Sequence, residues 1–354
     1  MNSIITPAYA VHFNDRAYNE LNEHLERSNY SKVFILVDES THNHCLPHFM
    51  GRIYGDYNFE IIEIEEGEIN KNIATCTQVW EVLSELDADR KSTMINLGGG
   101  VVTDLGGFVA SCFKRGIHFI NVPTTLLSMV DASVGGKTGV DLGSLKNQVG
   151  VINQPEMVLV DPEYLRTLDE RQLQSGFAEM LKHGLISDAA YWNTLKEVND
   201  FIDLDALIYT SVSIKNEVVT QDPTEQNLRK TLNFGHTLGH AVESYFLESE
   251  HHELLLHGEA IAIGMILEAY ISHKLTGLSL GELNDIKTTF LKRYKKVNFS
   301  EKDIDSILSL LKFDKKNSHG NVNFVLLRAI GETAIDIKVS TELLWESFTY
   351  YSES

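Results

Sequence analysis

The sequence is short of cations, of cysteine, of proline and of long apolar runs, and each shortage removes a class of protein. Against 50 Asp plus Glu there are 30 Lys plus Arg, a formal net charge of −20. A phosphate-backbone binder needs the opposite balance, so no nucleic-acid partner is expected, and the acidity itself reads most simply as a source of solubility. The 3 cysteines, Cys45, Cys76 and Cys112, are odd in number, far apart and without CxxC spacing. That argues against a disulfide framework and a thiolate zinc site, so any metal must be held by His and carboxylate. With 6 Pro, 43% hydrophobic and 23% charged residues, the chain is neither collagen-like nor disordered. No stretch approaches the roughly 20 apolar residues of a membrane helix; the richest, AIAIGMILEAYI, is interrupted by Glu268. The opening MNSIITPAYA lacks a basic segment and a following apolar core. These absences predict a soluble, reduced, cytoplasmic protein with no membrane partner.

At 354 residues the chain exceeds one ordinary core, which predicts two domains. Residues 1–162 read as an α/β domain. Within them KVFILVD, FEIIEIE, STMINLGGG, GIHFINVP and MVLVD are β-branched runs alternating with helical patterns, the mark of a parallel sheet. Between the second and third, Ile73, Cys76, Trp80, Leu83 and Leu86 recur at helical spacing and predict a crossover helix. Residues 163–354 read as mostly helical, with segments of period near 3.6 over 169–186, 203–220, 228–246, 258–274, 279–293 and 301–311. NFVLLRAI and AIDIKVS flank Gly331-Glu332 as a hairpin, and TELLWESF is a last helix.

Several segments carry chemistry. NLGGGVVTDLGGF (96–108) follows a strand and opens a helix, where glycines let a diphosphate approach backbone N–H groups at the positive helix end. Thr103 breaks the strict GxGxxG pattern, and glycines in such a turn are often only structural. GGKT (135–138) imitates the end of a triphosphate-binding loop, but Asp131 stands where that loop needs glycine, and its carboxylate would repel a triphosphate. On a single helix, residues 228–246 would place Leu228, Leu232, Gly235, Gly239, Val242 and Phe246 on an apolar stripe. Arg229, Asn233, His236, His240 and Glu243 would lie on a polar one. His236 and His240, four apart, can share a metal or simply hydrogen-bond. His257 and Glu179 begin or occupy neighbouring helical patterns, and two imidazoles, a carboxylate and an open position suit a catalytic zinc. Lys114, Arg115, Lys137, Lys146, Lys182, Lys215 and Arg229 lie in or beside these segments. Singly they read as surface cations; gathered, they would suit a small substrate bearing carboxylate or phosphate.

Together GGGVVTDLGGFVA, KRGI, VPTTLLSMVDASVGGKTGVD, LKN, SGFAEMLKHG, LRKTLNFGHTLGHAVE and HGEAIAIGM resemble the 3-dehydroquinate synthase family, in order, from about Asp38 to the DKK at 314–316. The resemblance implies a Rossmann-like NAD-binding domain over 1–162 and a helical metal- and substrate-binding domain over 163–354, with a cleft site and a homodimer. It implies zinc, or cobalt with the same ligands, on Glu179, His236 and His257, with His251 or His252 as alternatives to His257. His240 then meets substrate instead of metal. NAD would lie against Asp38, Glu68, Lys71, Gly99, Gly100, Asp104, Thr124, Thr125, Leu127 and Thr167, with Lys137 and Lys146 facing both cofactor and substrate. The substrate, a phosphosugar acid, would meet Arg115, Asp131, Lys137, Lys146, Asn147, Lys182, Lys215, Arg229, Asn233, His240 and either Lys315 or Lys316. The chain departs from the family pattern in having Leu145 where glycine is common before Lys146-Asn147, and in a longer stretch between His236 and His257.

The implied reaction turns 3-deoxy-D-arabino-heptulosonate 7-phosphate into 3-dehydroquinate and phosphate. This is a phosphorus–oxygen lyase step of the shikimate pathway, on the route to aromatic amino acids. Other sugar phosphate cyclases share the scaffold, but Asn233 and His240 fit the dehydroquinate subgroup. Polyol and iron-dependent alcohol dehydrogenases would release NADH stoichiometrically. A binding protein without activity would be expected to have lost some of the charged set.

Overall fold

A computed structural model describes residues 1–354 other than 56, 144, 250, 251, 312–321 and 354. The chain forms two compact units, one of Met1–Leu173 with Asp203–Asn216, the other of Gln174–Ile202 with Glu217–Ser354.

The first unit contains β1 (Ile4–Ile5), β2 (Ala10–Phe13), β3 (Val33–Asp38), β4 (Phe59–Ile64), β5 (Thr93–Gly98), β6 (His118–Pro123), β7 (Lys137–Leu142), β8 (Leu145–Ile152) and β9 (Met157–Val160). Seven of these form one sheet in the order β1-β2-β9-β6-β5-β3-β4, with every pair parallel except β1 against β2. The five runs read from the sequence are the strands β3, β4, β5, β6 and β9. Both faces of β5 are buried, and such strands show as largely apolar runs without polar alternation. The helices are α1 (Asp15–Arg27), α2 (Glu39–His44), α3 (Leu46–Met50), α4 (Ile73–Glu85) and α5 (Gly100–Cys112). The expected crossover helix is α4, although Ile73 stays exposed; Cys76, Val79 and Leu83 make its buried face.

From β3 the chain first crosses to β4 on one side and then returns to β5 on the other. The order therefore reverses between β3 and β5. Ligands of open parallel sheets bind at the carboxyl ends of strands beside such a reversal, and there stand Asp38, ending β3, and Gly98 to Gly100 between β5 and α5. β7 and β8 form a separate antiparallel hairpin in which Gly139 faces Gly150. A Cβ on Gly139 would lie 2.5 Å from the Val149 carbonyl oxygen, so the strands meet there only without side chains.

The second unit is mostly helical. It draws on α6 (Glu170–Ser187), α7 (Ala189–Lys196), the end of α8 (Asp205–Gln221), α9 (His236–Glu248), α10 (His257–Leu275), α11 (Leu280–Arg293), α12 (Glu301–Leu310) and α13 (Thr341–Ser352). A hairpin of β10 (Asn323–Ala329) and β11 (Glu332–Lys338) matches the expected one. α10 is buried almost all round and packs on α9, α11, α13 and β10. The fold class is the expected one, a Rossmann-like parallel-sheet domain followed by a mostly helical one.

The single helix expected over 228–246 is two pieces. Leu228–Asn233 is a 3-10 turn, Gly235 takes φ 79° and α9 begins at His236. The apolar stripe runs on in phase through the break, which hides it from periodicity. The break is made by tertiary packing: a Cβ on Gly264 of α10 would sit 2.0 Å from the Gly235 carbonyl oxygen, so α9 begins pressed against a side-chain-free stretch of its neighbour. The polar ladder is therefore not continuous; His236, His240 and Glu243 share α9, while Arg229 and Asn233 belong to the preceding turn.

Candidate active-site residues of the two units

In the first unit α5 starts at Gly99 with no side chain capping its first turn, which leaves backbone N–H groups and the positive helix end for an anion. A Cβ on Gly99 would stand 2.9 Å from Thr125 Cγ2, so the glycine keeps this turn open beside the end of β6. The Thr124 N–H donates to the Gly98 carbonyl at 3.0 Å and ties the two strand ends together. Asp38 caps α2, accepting from the Thr41 N–H at 2.7 Å. Leu127 precedes the π-helical turn Ser128–Ala132, and Asp131 of that turn pairs with Lys215 at 2.7 Å. Lys137 opens β7, and Thr167, exposed, ends the 3-10 turn Pro162–Thr167.

Glu68, Lys71, Asp104, Lys146 and Asn147, which come from three places in the sequence, meet in one cluster. Lys71 Nζ lies 2.6 Å from Asp104 Oδ2 and donates to Asn147 Oδ1 at 2.8 Å. Lys146 Nζ is 2.8 Å from Glu68 Oε1 and 3.6 Å from Asp141 Oδ2. Asp141 is a member that sequence reasoning missed; its Oδ1 accepts the Asn147 N–H at 2.6 Å and pins that residue at φ 50°. Burial works against the charge on Lys71, but the carboxylates of Asp104, Glu68 and Asp141 outweigh it and raise the pKa above the ordinary lysine value. Burial pushes Asp104 and Asp141 upward despite the ammoniums beside them. Three carboxylates around two ammoniums and an amide form a mutually satisfied polar wall near the glycine turn.

Arg115 is not brought to this group. It lies beyond the far end of α5 from Gly99, roughly 20 Å away by the helical rise. There, at φ 71°, it helps to line a cleft of about 510 Å³ with Ser111, His118, Asn153, Gln154 and Glu156.

In the second unit three elements converge. α6 supplies Glu179 and Lys182, both buried, with Lys182 paired to Glu179 Oε2. The other oxygen, Oε1, is buried and accepts no hydrogen bond of normal geometry among the described residues. It lies 3.5 Å from His236 Nε2 and 3.7 Å from His257 Nε2. His236 Nδ1 is 3.1 Å from the Phe234 carbonyl oxygen, which can only accept, and His257 Nδ1 is 3.1 Å from Glu243 Oε2. Each imidazole thus spends its Nδ1 proton on a fixed acceptor and turns an Nε2 lone pair toward Glu179. A tetrahedral zinc at its usual bond lengths separates neighbouring ligand atoms by about 3.3 Å, so the arrangement fits a divalent ion. His240 stands beside the pair, with its ring centroid 5.1 Å from that of His236 and 5.7 Å from that of His257. The ligand atoms of the three histidines all lie within 4.8 Å of one another.

The electrostatics agree with this fit. Burial opposes the charge on Glu179, yet Lys182, His236 and His257 outweigh it and hold the carboxyl well below the usual carboxylate range. Burial, reinforced by Lys182, keeps His236 well below the usual imidazole value. Burial also acts against a charged His257, but Glu243 and Glu179 raise it to about 10. A cation between these carboxylates, proton or metal, is what the site selects.

Packing sets the register. The Gly258 N–H donates to Ser175 Oγ at 2.9 Å, and a Cβ on Gly258 would lie 1.9 Å from the Ser175 carbonyl oxygen. The start of α10, with His257, is thereby fastened one turn from Glu179. Arg229, also buried, donates to the Pro223 carbonyl at 2.8 Å, and Asn233 donates to Glu225 Oε1 at 2.6 Å. Of the alternative ligands, His252 faces Asp303 at 3.5 Å, while His251 lies outside the described residues, as do Lys315 and Lys316. Sequence reasoning put Glu243 on the polar ladder without a partner, and saw Glu268 only as an interruption of an apolar run. The signal in both cases was a carboxylate inside a buried stretch.

The chain matches the family model described as 3-dehydroquinate synthase N-terminal over residues 61–175 and the one described as 3-dehydroquinate synthase C-terminal over 176–317. It is 41% identical to the 3-dehydroquinate synthase of Parabacteroides distasonis over 341 residues, covering 95% of this chain and 96% of that one. Among solved structures it is similar to 2-deoxy-scyllo-inosose synthase complexed with carbaglucose-6-phosphate, NAD+ and Co2+ (25% identity, TM-score 0.82, 99% of each chain). In fold it also resembles 2-epi-5-epi-valiolone synthase from Streptomyces hygroscopicus, solved with NAD+ and Zn2+ (24% identity, TM-score 0.80, 99% of each chain).

Proposed function

The chain belongs to the 3-dehydroquinate synthase family, and from that membership we infer that it converts 3-deoxy-D-arabino-heptulosonate 7-phosphate into 3-dehydroquinate and phosphate with catalytic NAD and a divalent metal. The observation that carries the reading is the convergence of Glu179 Oε1 with the Nε2 atoms of His236 and His257. When bound, NAD accepts and returns a hydride, and the metal polarises the oxygen of the carbon being oxidised.

The residues have separable tasks. Glu179, His236 and His257 hold the metal, while Lys182 neutralises the second oxygen of Glu179 and leaves the first for coordination. Gly99 and Gly100 let the diphosphate approach the start of α5, and Asp38, Thr124, Thr125, Leu127 and Thr167 are assigned to the same cofactor. Glu68, Lys71, Asp104 and Lys146 form the polar wall against which NAD lies. Asp131, Lys137, Asn147, Lys182, Lys215, Arg229, Asn233 and His240 meet the substrate, with the cations taking its carboxylate and phosphate and stabilising the departing phosphate. We further propose that the enzyme is a cytoplasmic homodimer of the shikimate pathway; among the described residues no helix is long and apolar enough to cross a membrane.

The test is phosphate release from the heptulosonate phosphate with NAD well below the substrate concentration. Phosphate should exceed NAD many times over without NADH accumulating. Chelation should stop the reaction, and zinc or cobalt should restore it. NADH formed in step with substrate consumed would instead identify a dehydrogenase.

A further inference from the structure

We propose that Glu268 is a positioning residue for the metal centre, a buried carboxylate that fixes the imidazole of His236 through a single peptide group. The inference rests on reading His236 as a metal ligand.

Glu268 lies on α10 eleven residues after His257, on a helix packed against α9, and is fully buried. Its Oε2 accepts the Gly235 N–H at 2.7 Å and its Oε1 the Leu238 N–H at 3.1 Å. Gly235 has no side chain with which to cap α9, so the carboxylate of the neighbouring helix takes that place and puts negative charge at the positive helix end. The Gly235 N–H belongs to the same peptide group as the Phe234 carbonyl, the acceptor for His236 Nδ1 at 3.1 Å. One planar unit thus carries both hydrogen bonds: carboxylate to N–H at one edge, carbonyl to imidazole at the other. Rotating that peptide would break both and turn Nε2 away from Glu179. A negative partner on the N–H side also polarises the carbonyl and makes it a better acceptor. His257 receives its carboxylate directly, from Glu243; His236 receives one at a remove. Gly264, one turn before Glu268, is what lets α10 come close enough for this reach.

The experiment compares zinc and cobalt affinity, by competition with a chelating dye, in the parent protein, Glu268→Gln and His236→Ala, together with the visible spectrum of the cobalt forms. Glu268→Gln keeps the shape but sets an amide NH2 against one of the two N–H groups. Metal binding should weaken about ten- to a hundredfold, and the cobalt spectrum should change. A cap serving stability alone would lower the unfolding temperature of the metal-free protein and leave the affinity of the folded protein at the parent value, which overturns the proposal. Should Glu268→Gln not fold, the parent decides: linkage requires zinc to slow hydrogen exchange at the Gly235 amide, and a rate indifferent to zinc overturns the proposal equally. The underlying ligand assignment fails by a different sign, namely parent-like metal affinity in His236→Ala.

Discussion

The two candidate regions are built on opposite principles. In the first unit, Glu68, Lys71, Asp104, Asp141 and Lys146 hold one another from a turn, the N-terminal part of α5 and the β7–β8 hairpin, so each carboxylate faces an ammonium inside the cluster. In the second, Glu179, His236 and His257 stand on three separate helices and point one oxygen and two nitrogens at a common centre, with their remaining atoms anchored outward. A self-satisfied cluster presents a surface; an outwardly anchored one presents converging donor atoms. The first suits recognition of an extended cofactor, the second coordination of an ion.

Substitutions should separate the two designs. The largest effect is expected for His236→Ala, in which bound metal and phosphate release should both fall to background while NAD binding persists, as metal analysis and NAD titration would register. Lys71→Met, which leaves Asp104 buried against an apolar stem, should cost about 3–5 kcal/mol in denaturant unfolding and leave metal content intact. Gly258→Ala must displace the start of α10 from Ser175; a loss of about 1–3 kcal/mol is expected, now accompanied by lower zinc occupancy. Glu243→Gln should weaken zinc about ten- to a hundredfold with little change in NAD affinity.

The smallest effect concerns pH, where the two units should fail at opposite ends. Lys71 has a folded pKa above its unfolded one, so its contribution is full below the ordinary lysine value and is lost as pH rises past it. Asp303, which accepts from Tyr245 and from the Ser300 N–H, is held down to about 2 against the opposing effect of burial. Its contribution is full above the ordinary carboxylate value and is lost as pH falls below that value toward about 2. Hydrogen exchange followed unit by unit should show the first loosening in alkali and the second in acid, and Asp303→Asn should flatten the acid limb.

How much of this could be read in advance depended on whether the deciding force was local. β3, β5 and β6 were legible because strands buried on both faces are largely apolar, with the rare polar side chain paired, as Asn96 is to Asn121. The hairpin of β7 and β8 was not: its glycines look like a loop, and β8 is too exposed to show a buried face. The pairing there comes from backbone approach at Gly139 and Gly150, which leaves no hydrophobic trace. At the proposed metal site Glu179, His236 and His257 were visible as chemistry, but their orientation was not. Phe234, Glu243 and Glu268 act through a carbonyl, a cross-helix carboxylate and a peptide N–H, none of which has a periodicity. Similarly, Lys71 and Asp104 were each noticed, yet their pairing spans 33 positions and depends on the sheet order.

α10 carries His257 at its first position and Glu268 eleven residues later. Because every residue of an α-helix turns the next by about 100°, removing or adding a single residue between them would swing one of the two off its target. The spacing of this pair is therefore a rigid gauge that drift in length cannot touch. Changes of length are expected outside this span instead, as in the stretch between His236 and His257 that reads as longer than the family pattern.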